Sequence, residues 1–220
     1  YLSGNASTQE GFRAHYINML NYIRTNGLTD QKHYNYINTQ MDVQSFINYN
    51  LSNIYFNNRD WPHNNIDFWR YQTAYDSTAG PGRDGRWRWM MFDTDFGFGT
   101  WNNFDYFNNT LNFALEDSGP NWPNPPWSTL LFRKLIENTS FRHAFINRYA
   151  DELNSRFLPA QVSAHIDSLS LRVASEISRH YSRWGGDINS WTQQVNNMKN
   201  FGSLRPLQAN QHIRTTFNLP

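Results

Sequence analysis

The chain contains no cysteine in 220 residues, which excludes disulfide staples and Cys-ligated zinc and leaves the redox compartment open. No apolar run approaches the roughly 20 residues that a membrane-crossing helix needs. The first residues, Tyr1-Leu2-Ser3-Gly4-Asn5, have neither the basic start nor the apolar stretch of a signal peptide. An excess of either charge is also missing. With Lys+Arg 19 against Asp+Glu 18 the formal net charge is +1, so no broad field recommends a nucleic acid or an anionic membrane, and neither is expected as a partner. Several catalytic signatures are absent as well. The seven histidines show no H-E-x-x-H or other helical metal spacing, and no G-x-S-x-G elbow marks a serine hydrolase. There is no G-x-x-x-x-G-K-[ST] loop, and Gly97-Phe98-Gly99 is too short to cradle phosphates.

What the chain does have is length for a real core, expected to form one domain over residues 1–220. Aromatic residues make up 17%, enough both to pack that core and to line a surface cleft. Asparagine is abundant and lysine scarce beside arginine, a bias that leans towards an exported protein while leaving location open. The sequons Asn50-Leu51-Ser52 and Asn138-Thr139-Ser140 are chance-level matches.

Hydrophobic periodicity predicts a mostly helical chain. Phe12, Tyr16, Met19, Leu20 and Ile23 share a helical face between Glu10 and Asn26, with Ser7 or Thr8 as N-cap and Gly27 as the stop. Thr29 and Asp42 are expected to cap two more helices. The second of these carries Val43, Phe46, Ile47, Asn50 and Ile54 on a stripe that runs into the Asp60 loop. Ile66 to Ala74 and Trp87 to Phe92 read as strands of a hairpin joined by a Gly/Pro/Asp-rich turn at 76–85. Trp101 to Trp127 has no clear period and is read as a substrate-facing loop. Helices follow to the end: one around Leu130 to Ile136, one from Phe141 to Phe157 closed by Pro159, and a long one through Val162, Ile166, Leu169, Val173 and Ile177 to Gly185-Gly186. Shorter ones are expected at 188–198 and 207–217. The class is thus α+β, mostly helical, with one hairpin.

The chemistry concentrates in two loops that the hairpin would gather. Asn57-Asn58-Arg59-Asp60-Trp61-Pro62-His63-Asn64-Asn65 precedes the first strand, and Phe92-Asp93-Thr94-Asp95-Phe96-Gly97-Phe98-Gly99 follows the second. Asn65 lies five positions after Asp60, the interval between Asp and Asn in the kinase pattern H-R-D-x-x-x-x-N. Phosphoryl transfer needs this Asp near the attacking hydroxyl, the Asn on a metal ion, and a further Asp from a neighbouring loop on the same metals. Antiparallel pairing would bring the residues after Asn65 close to those before Asp93. Asp60 and Asn65 can also be read as plain turn residues. Asp93 and Asp95 resist that reading, because two carboxylates two residues apart repel unless a cation or donors sit between them. His63 lies beside the carboxylates, available to hold Asp60 or touch substrate. His180 and Arg183 close a helix, where cations suit the C-terminal dipole, with a phosphate or acidic-peptide contact as the sharper alternative.

Asp60-Trp61-Pro62 with Asn64-Asn65, then Arg86-Trp87-Arg88-Trp89-Met90-Met91-Phe92-Asp93-Thr94-Asp95 with Phe98-Gly99, resembles the CotH family, named for a spore-coat protein kinase. Leu131-Phe132-Arg133-Lys134-Leu135, Phe141-Arg142, Arg148-Tyr149-Ala150 and Arg179-His180 with Arg183-Trp184-Gly185 extend the likeness over nearly the whole chain from Asp42. The resemblance implies an atypical protein kinase-like C-lobe whose hairpin carries the metal-binding loop. It further implies ATP and Mg²⁺ or Mn²⁺ as cofactors and Ser or Thr of a protein as acceptor. By position, Asp60 is implied as the catalytic-loop Asp, Asn65 as its metal-binding Asn, and Asp93 as the principal metal ligand with Asp95 as a second. Register is open, since Asp95-Phe96-Gly97 spells the kinase D-F-G while the family's W-D-x-D-x-x-F-G aligns on Asp93 with Phe92 in place of Trp. The family's N-terminal ATP-gripping lobe is expected to be absent from this chain, leaving a monomeric fragment that is inactive alone. Two rivals stand beside this reading: an exported binding or adhesion module with a structural Ca²⁺, and a phosphatase or glycosyltransferase using Asp93-x-Asp95.

Overall fold

The computed structural model describes residues 10–99, 105–117 and 123–220. Along the chain run α1 (Ala14–Asn26), α2 (Gln31–Gln40), α3 (Val43–Tyr55), β1 (Asp67–Trp69), β2 (Arg88–Met90), α4 (Thr110–Leu115), α5 (Leu130–Ile136), α6 (Thr139–Leu153), α7 (Pro159–Trp184) and α8 (Ile188–Phe217). The mostly helical α+β expectation therefore holds. Among the described residues no helix is long and apolar enough to cross a membrane.

The body is built around α3. Its predicted stripe, Val43, Phe46, Ile47, Asn50 and Ile54, is buried in full. Phe46 meets Trp89 edge-on at 4.6 Å, and Tyr55 stacks on Phe157 at 3.8 Å. Aromatic residues of α5 and α6 close the core from the far side, with Phe132, Phe141, Phe145 and Tyr149 all buried. Asp42 caps α3 by accepting from the Ser45 amide at 3.0 Å, as predicted. Both sequon asparagines are internal. Asn50 donates to the Phe46 carbonyl, and Asn138 caps α6 while donating to the Leu28 carbonyl, so neither presents an amide for glycosylation.

The hairpin forms in the predicted order, but its ladder is short: Asp67 pairs with Met90, Phe68 with Trp89 and Trp69 with Arg88. Beyond these pairs one backbone bond crosses the hairpin, from the Asp76 amide to the Asp84 carbonyl at 3.3 Å, and side chains supply further ties. Arg70 donates to the carbonyls of Gly85 and Thr73, and buried Asp84 receives both terminal nitrogens of Arg88 at 2.7 Å and the Arg86 Nε at 2.8 Å. Arg88 reaches on to Asp42 at 3.1 Å, which fastens the hairpin to the start of α3.

Other boundaries differ from expectation. Ser7 and Thr8 lie outside the described residues, and α1 begins only at Ala14 with Arg13 at the N-cap. The cap of α2 is Asp30 rather than Thr29, because the Asp30 carboxylate reaches the Lys32 amide. The stretch read as an open loop contains α4, which forms because Thr110, Leu111 and Ala114 find burial and Asn109 caps the Asn112 amide. Residues 100–104 and 118–122 of that stretch lie outside the described residues. The two short terminal helices are one helix of 30 residues that continues through Pro206. Proline removes one helical hydrogen bond, yet Phe201, Gly202, Arg205, Ala209 and Ile213 are buried on both sides of it, and the helix continues through it. On α7, Val162 and Ile166 enter the core while Leu169 and Val173 are exposed, since from there the helix packs chiefly against α8 alone. The crossing of the two helices is close: a Cβ on Gly202 would sit 2.5 Å from Val162 Cγ1.

Candidate active site

The first loop leaves α3 at Phe56 and turns at once, with Asn57 in the left-handed region at φ 52 and fully buried. Asparagine tolerates that conformation. Its side chain is also the centre of a network. Asn57 Nδ2 donates to Asp105 Oδ1 at 2.6 Å, while its Oδ1 accepts from Thr110 Oγ1 at 2.6 Å and Asn108 Nδ2 at 2.8 Å. Asn58 donates through Nδ2 to Asn53 Oδ1 at 2.9 Å, and Asn53 in turn reaches Met91 Sδ at the end of the hairpin at 3.4 Å. One helical asparagine thus touches the first loop and the hairpin residue that leads into the second.

Asp60 follows, half-buried, with an amide donor on each carboxylate oxygen. Asn64 Nδ2 donates to Oδ1 at 3.1 Å and Asn65 Nδ2 to Oδ2 at 2.8 Å. Asn65 is itself left-handed at φ 55, and the Tyr49 hydroxyl of α3 donates to its carbonyl at 3.3 Å. These contacts fix the carboxylate plane and turn the Asn65 amide oxygen away from Asp60. The structure therefore joins Asp60 and Asn65 directly.

The second loop lies against the first. Arg59 N donates to the Phe96 carbonyl at 3.2 Å, and Phe98 N donates to the Phe56 carbonyl at 2.9 Å. Phe98, left-handed at φ 56, stacks on Phe56 at 4.5 Å. Gly97 suits this close approach, since a Cβ would lie 3.1 Å from the Thr94 carbonyl and 3.2 Å from that of Phe56, tighter than an ordinary contact. Two ties thus bracket the loops, the Asp67 and Met90 pairing at one end and the Arg59 to Phe96 bond at the other. Between them Asp93 is exposed and left-handed at φ 49, and Asp95 is exposed. Among the described residues no three His, Cys, Asp or Glu side chains converge as a metal-binding group, so Asp60, Asp93 and Asp95 do not form a three-carboxylate cluster.

The basic candidates make contacts of other kinds. The His63 ring packs on Trp127 at 5.1 Å and its amide donates to the Pro123 carbonyl. Its Nδ1 is buried without a hydrogen-bond partner among the described residues. His180 and Arg183 sit at the exposed end of α7, the latter with its guanidinium over Trp184 at 4.9 Å.

Sequence reasoning missed the residues that support the loops. Asn57 was hidden in an asparagine-rich run. Asp105, whose carboxyl burial pushes up from its ordinary value against the pull of Arg59 at 3.6 Å, lies in the aperiodic stretch. Arg205 is buried beneath the end of α3 and had one available signal: it occupies the position between Phe201 and Ala209 on the apolar stripe of α8.

A family model described as CotH kinase protein matches residues 3–207. No curated protein and no solved structure matches the chain. The match spans both loops, the hairpin and the helices that carry them, and on that coverage the chain belongs to the CotH kinase protein family.

Proposed function

We propose that the chain is the catalytic-loop part of an atypical protein kinase that transfers the γ-phosphate of ATP to a Ser or Thr hydroxyl. The observation that carries this reading is the Asp60 to Asn65 hydrogen bond at the kinase interval, in a loop whose Arg59 amide is bonded to the Asp93–Gly99 segment. The acceptor oxygen attacks the γ-phosphorus, the bond to the β,γ-bridging oxygen breaks to leave ADP, and the hydroxyl proton passes to the Asp60 carboxylate. Two asparagine amides hold that carboxylate in one orientation, which favours proton acceptance from a single direction.

The donor set suits a hard divalent cation that relies on substrate phosphates. Mg²⁺ is commonly held by one or two carboxylates plus phosphate oxygens, whereas Ca²⁺ takes six to eight oxygens. Asn65 Oδ1 and Asp93, with Asp95 as a further oxygen donor, would hold Mg²⁺ or Mn²⁺. When bound, the metal neutralises charge on the phosphates. The left-handed backbone of Asp93 is the kind of local outlier found at ligand-holding positions. His63 Nδ1 adds a buried group without a partner among the described residues on the same loop as Asp60.

In the full-length gene product, with ATP and Mg²⁺ or Mn²⁺, Asp60→Asn and Asp93→Ala are expected to lower phosphotransfer by about 10² to 10⁴-fold without unfolding the protein. Undiminished turnover by a folded Asp93→Ala variant overturns the assignment. An exposed aromatic row on the hairpin, Trp69, Tyr71 and Tyr75, favours a second reading as an exported binding module with structural Ca²⁺. Calorimetry separates the two, because that module binds Ca²⁺ alone and the kinase binds Mg²⁺ together with ATP.

A further inference from the structure

Among the described residues Arg205 heads the large side chains that are fully buried, at 0% exposure. A guanidinium has five N–H donors, and here each faces an oxygen. Nε donates to the Tyr55 carbonyl at 2.7 Å, Nη1 to those of Tyr106 at 2.6 Å and Asn108 at 2.7 Å, and Nη2 to that of Ile54 at 2.8 Å and to Thr110 Oγ1 at 3.4 Å. None of these acceptors is a carboxylate. Desolvating a cation costs several kcal/mol, and neutral oxygens restore only part of it, so an apolar side chain at this position could serve stability as well. What an apolar side chain could not do is hold five oxygens in one plane.

Those oxygens belong to two stretches that matter. Ile54 and Tyr55 are in the last turn of α3, where carbonyls lack helical partners and a cation suits the dipole. They immediately precede Asn57–Asp60. Tyr106–Thr110 is the stretch that grips Asn57 from the other side, and Thr110 Oγ1 is shared between Arg205 and Asn57. One turn earlier on α8, Phe201 lies under the guanidinium at 5.7 Å and meets Phe98 of the second loop at 5.7 Å.

We propose that Arg205 is a positioning residue that sets the direction in which α3 hands over to the Asp60 loop. It locks Tyr106–Thr110 against that loop, while its neighbour Phe201 supports the Asp93–Gly99 segment. The kinetic part of this inference rests on the phosphotransfer reading above; the structural part rests on the hydrogen bonds alone.

The test uses the full-length protein with Arg205→Met, which keeps bulk but no donors, and Arg205→Lys, which keeps charge but fewer donors. The amides of Asn57, Asn58 and Arg59 bond to the carbonyls of Ile54, Asn53 and Phe96, so their hydrogen exchange reports the loop. In both variants their protection is expected to fall at least about tenfold, with Leu20 and Ile23 of α1 unchanged. Turnover is expected to fall about 100-fold in Arg205→Met, with KM for ATP within about twofold and partial recovery in Arg205→Lys. Unchanged loop exchange, or an equal rise in α1, overturns the proposal, as does wild-type turnover in a folded variant. If Arg205→Met does not fold, Arg205→Lys decides alone. If Asp60→Asn retains full turnover the phosphotransfer reading fails, and loop exchange then decides the positioning role by itself.

Discussion

Asp84 offers the sharpest test of how the hairpin is held. Its side chain is 4% exposed and accepts four hydrogen bonds, two from Arg88 at 2.7 Å and two from Arg86 at 2.8 and 3.2 Å. The bidentate hydrogen bond from Arg88 is the first reason its carboxyl is held well below the ordinary carboxylate range, with Arg86 adding to it. Removing one partner of a buried ion pair costs about 3–5 kcal/mol. Here Arg88 keeps Asp42 at 3.1 Å and Arg86 is 28% exposed, so both cations find partial compensation. We therefore expect Asp84→Asn to cost about 3 kcal/mol, near the lower limit. For a chain of this size that lowers Tm by about 6–12 °C. Calorimetry and urea unfolding measure it, with Glu137→Gln as control. The Lys134 and Glu137 pair is 35% and 40% exposed, and its loss is expected to stay within about 1 kcal/mol. The acid limb adds a second readout. Because the folded pKa is depressed, the stabilisation is complete above about pH 4, the unfolded value, and is lost as pH falls towards the folded one. Asp84→Asn should therefore flatten stability against pH only below about pH 4. A change under about 0.5 kcal/mol for Asp84→Asn would refute the reasoning.

Two further outcomes follow from packing and burial. Gly202→Ala gains about 1 kcal/mol of helix propensity but drives a Cβ to 2.5 Å from Val162 Cγ1, so overpacking of about 1–3 kcal/mol is expected to prevail. The double variant with Val162→Ala should then be less destabilised than the sum of the two, measured by urea unfolding. His212 is pulled down to about 4, by burial first and the Arg205 charge second. A depressed histidine stays neutral in the fold, so its contribution is complete above about pH 6.5 and lost as pH falls from there to about 4. Melting curves of His212→Gln across that window should be flatter than wild type, and identical slopes would remove the histidine from the account.

Local signals were legible in the sequence. The α3 stripe, the Asp42 cap, the hairpin and the Asp60 to Asn65 interval each depend on residues a few positions apart, where periodicity and capping chemistry operate. What escaped is what distant chain segments do to one another. Arg205 bonds to Ile54 across 151 positions and Asn57 to Thr110 across 53, and no local pattern encodes either. The gap expected between residues 198 and 207 is helical for the same reason: burial on both sides of Pro206 outweighs the tendency of proline to end a helix. The strands fell short of expectation because Arg70, Asp84, Arg86 and Arg88 hold the ribbon with side chains where a ladder was anticipated. The stretch from Trp101 looked structureless because α4 is stabilised by burial rather than by a repeating stripe.

Sequence order and spatial order run opposite ways at the heart of this molecule. The final helix is the foundation on which the middle of the chain rests, for Phe201 and Arg205 lie beneath loops encoded a hundred or more positions earlier. A truncation ending at Asn200 would therefore keep every acidic candidate yet forfeit the floor under them, so α8 belongs with any piece of this chain made to study those loops.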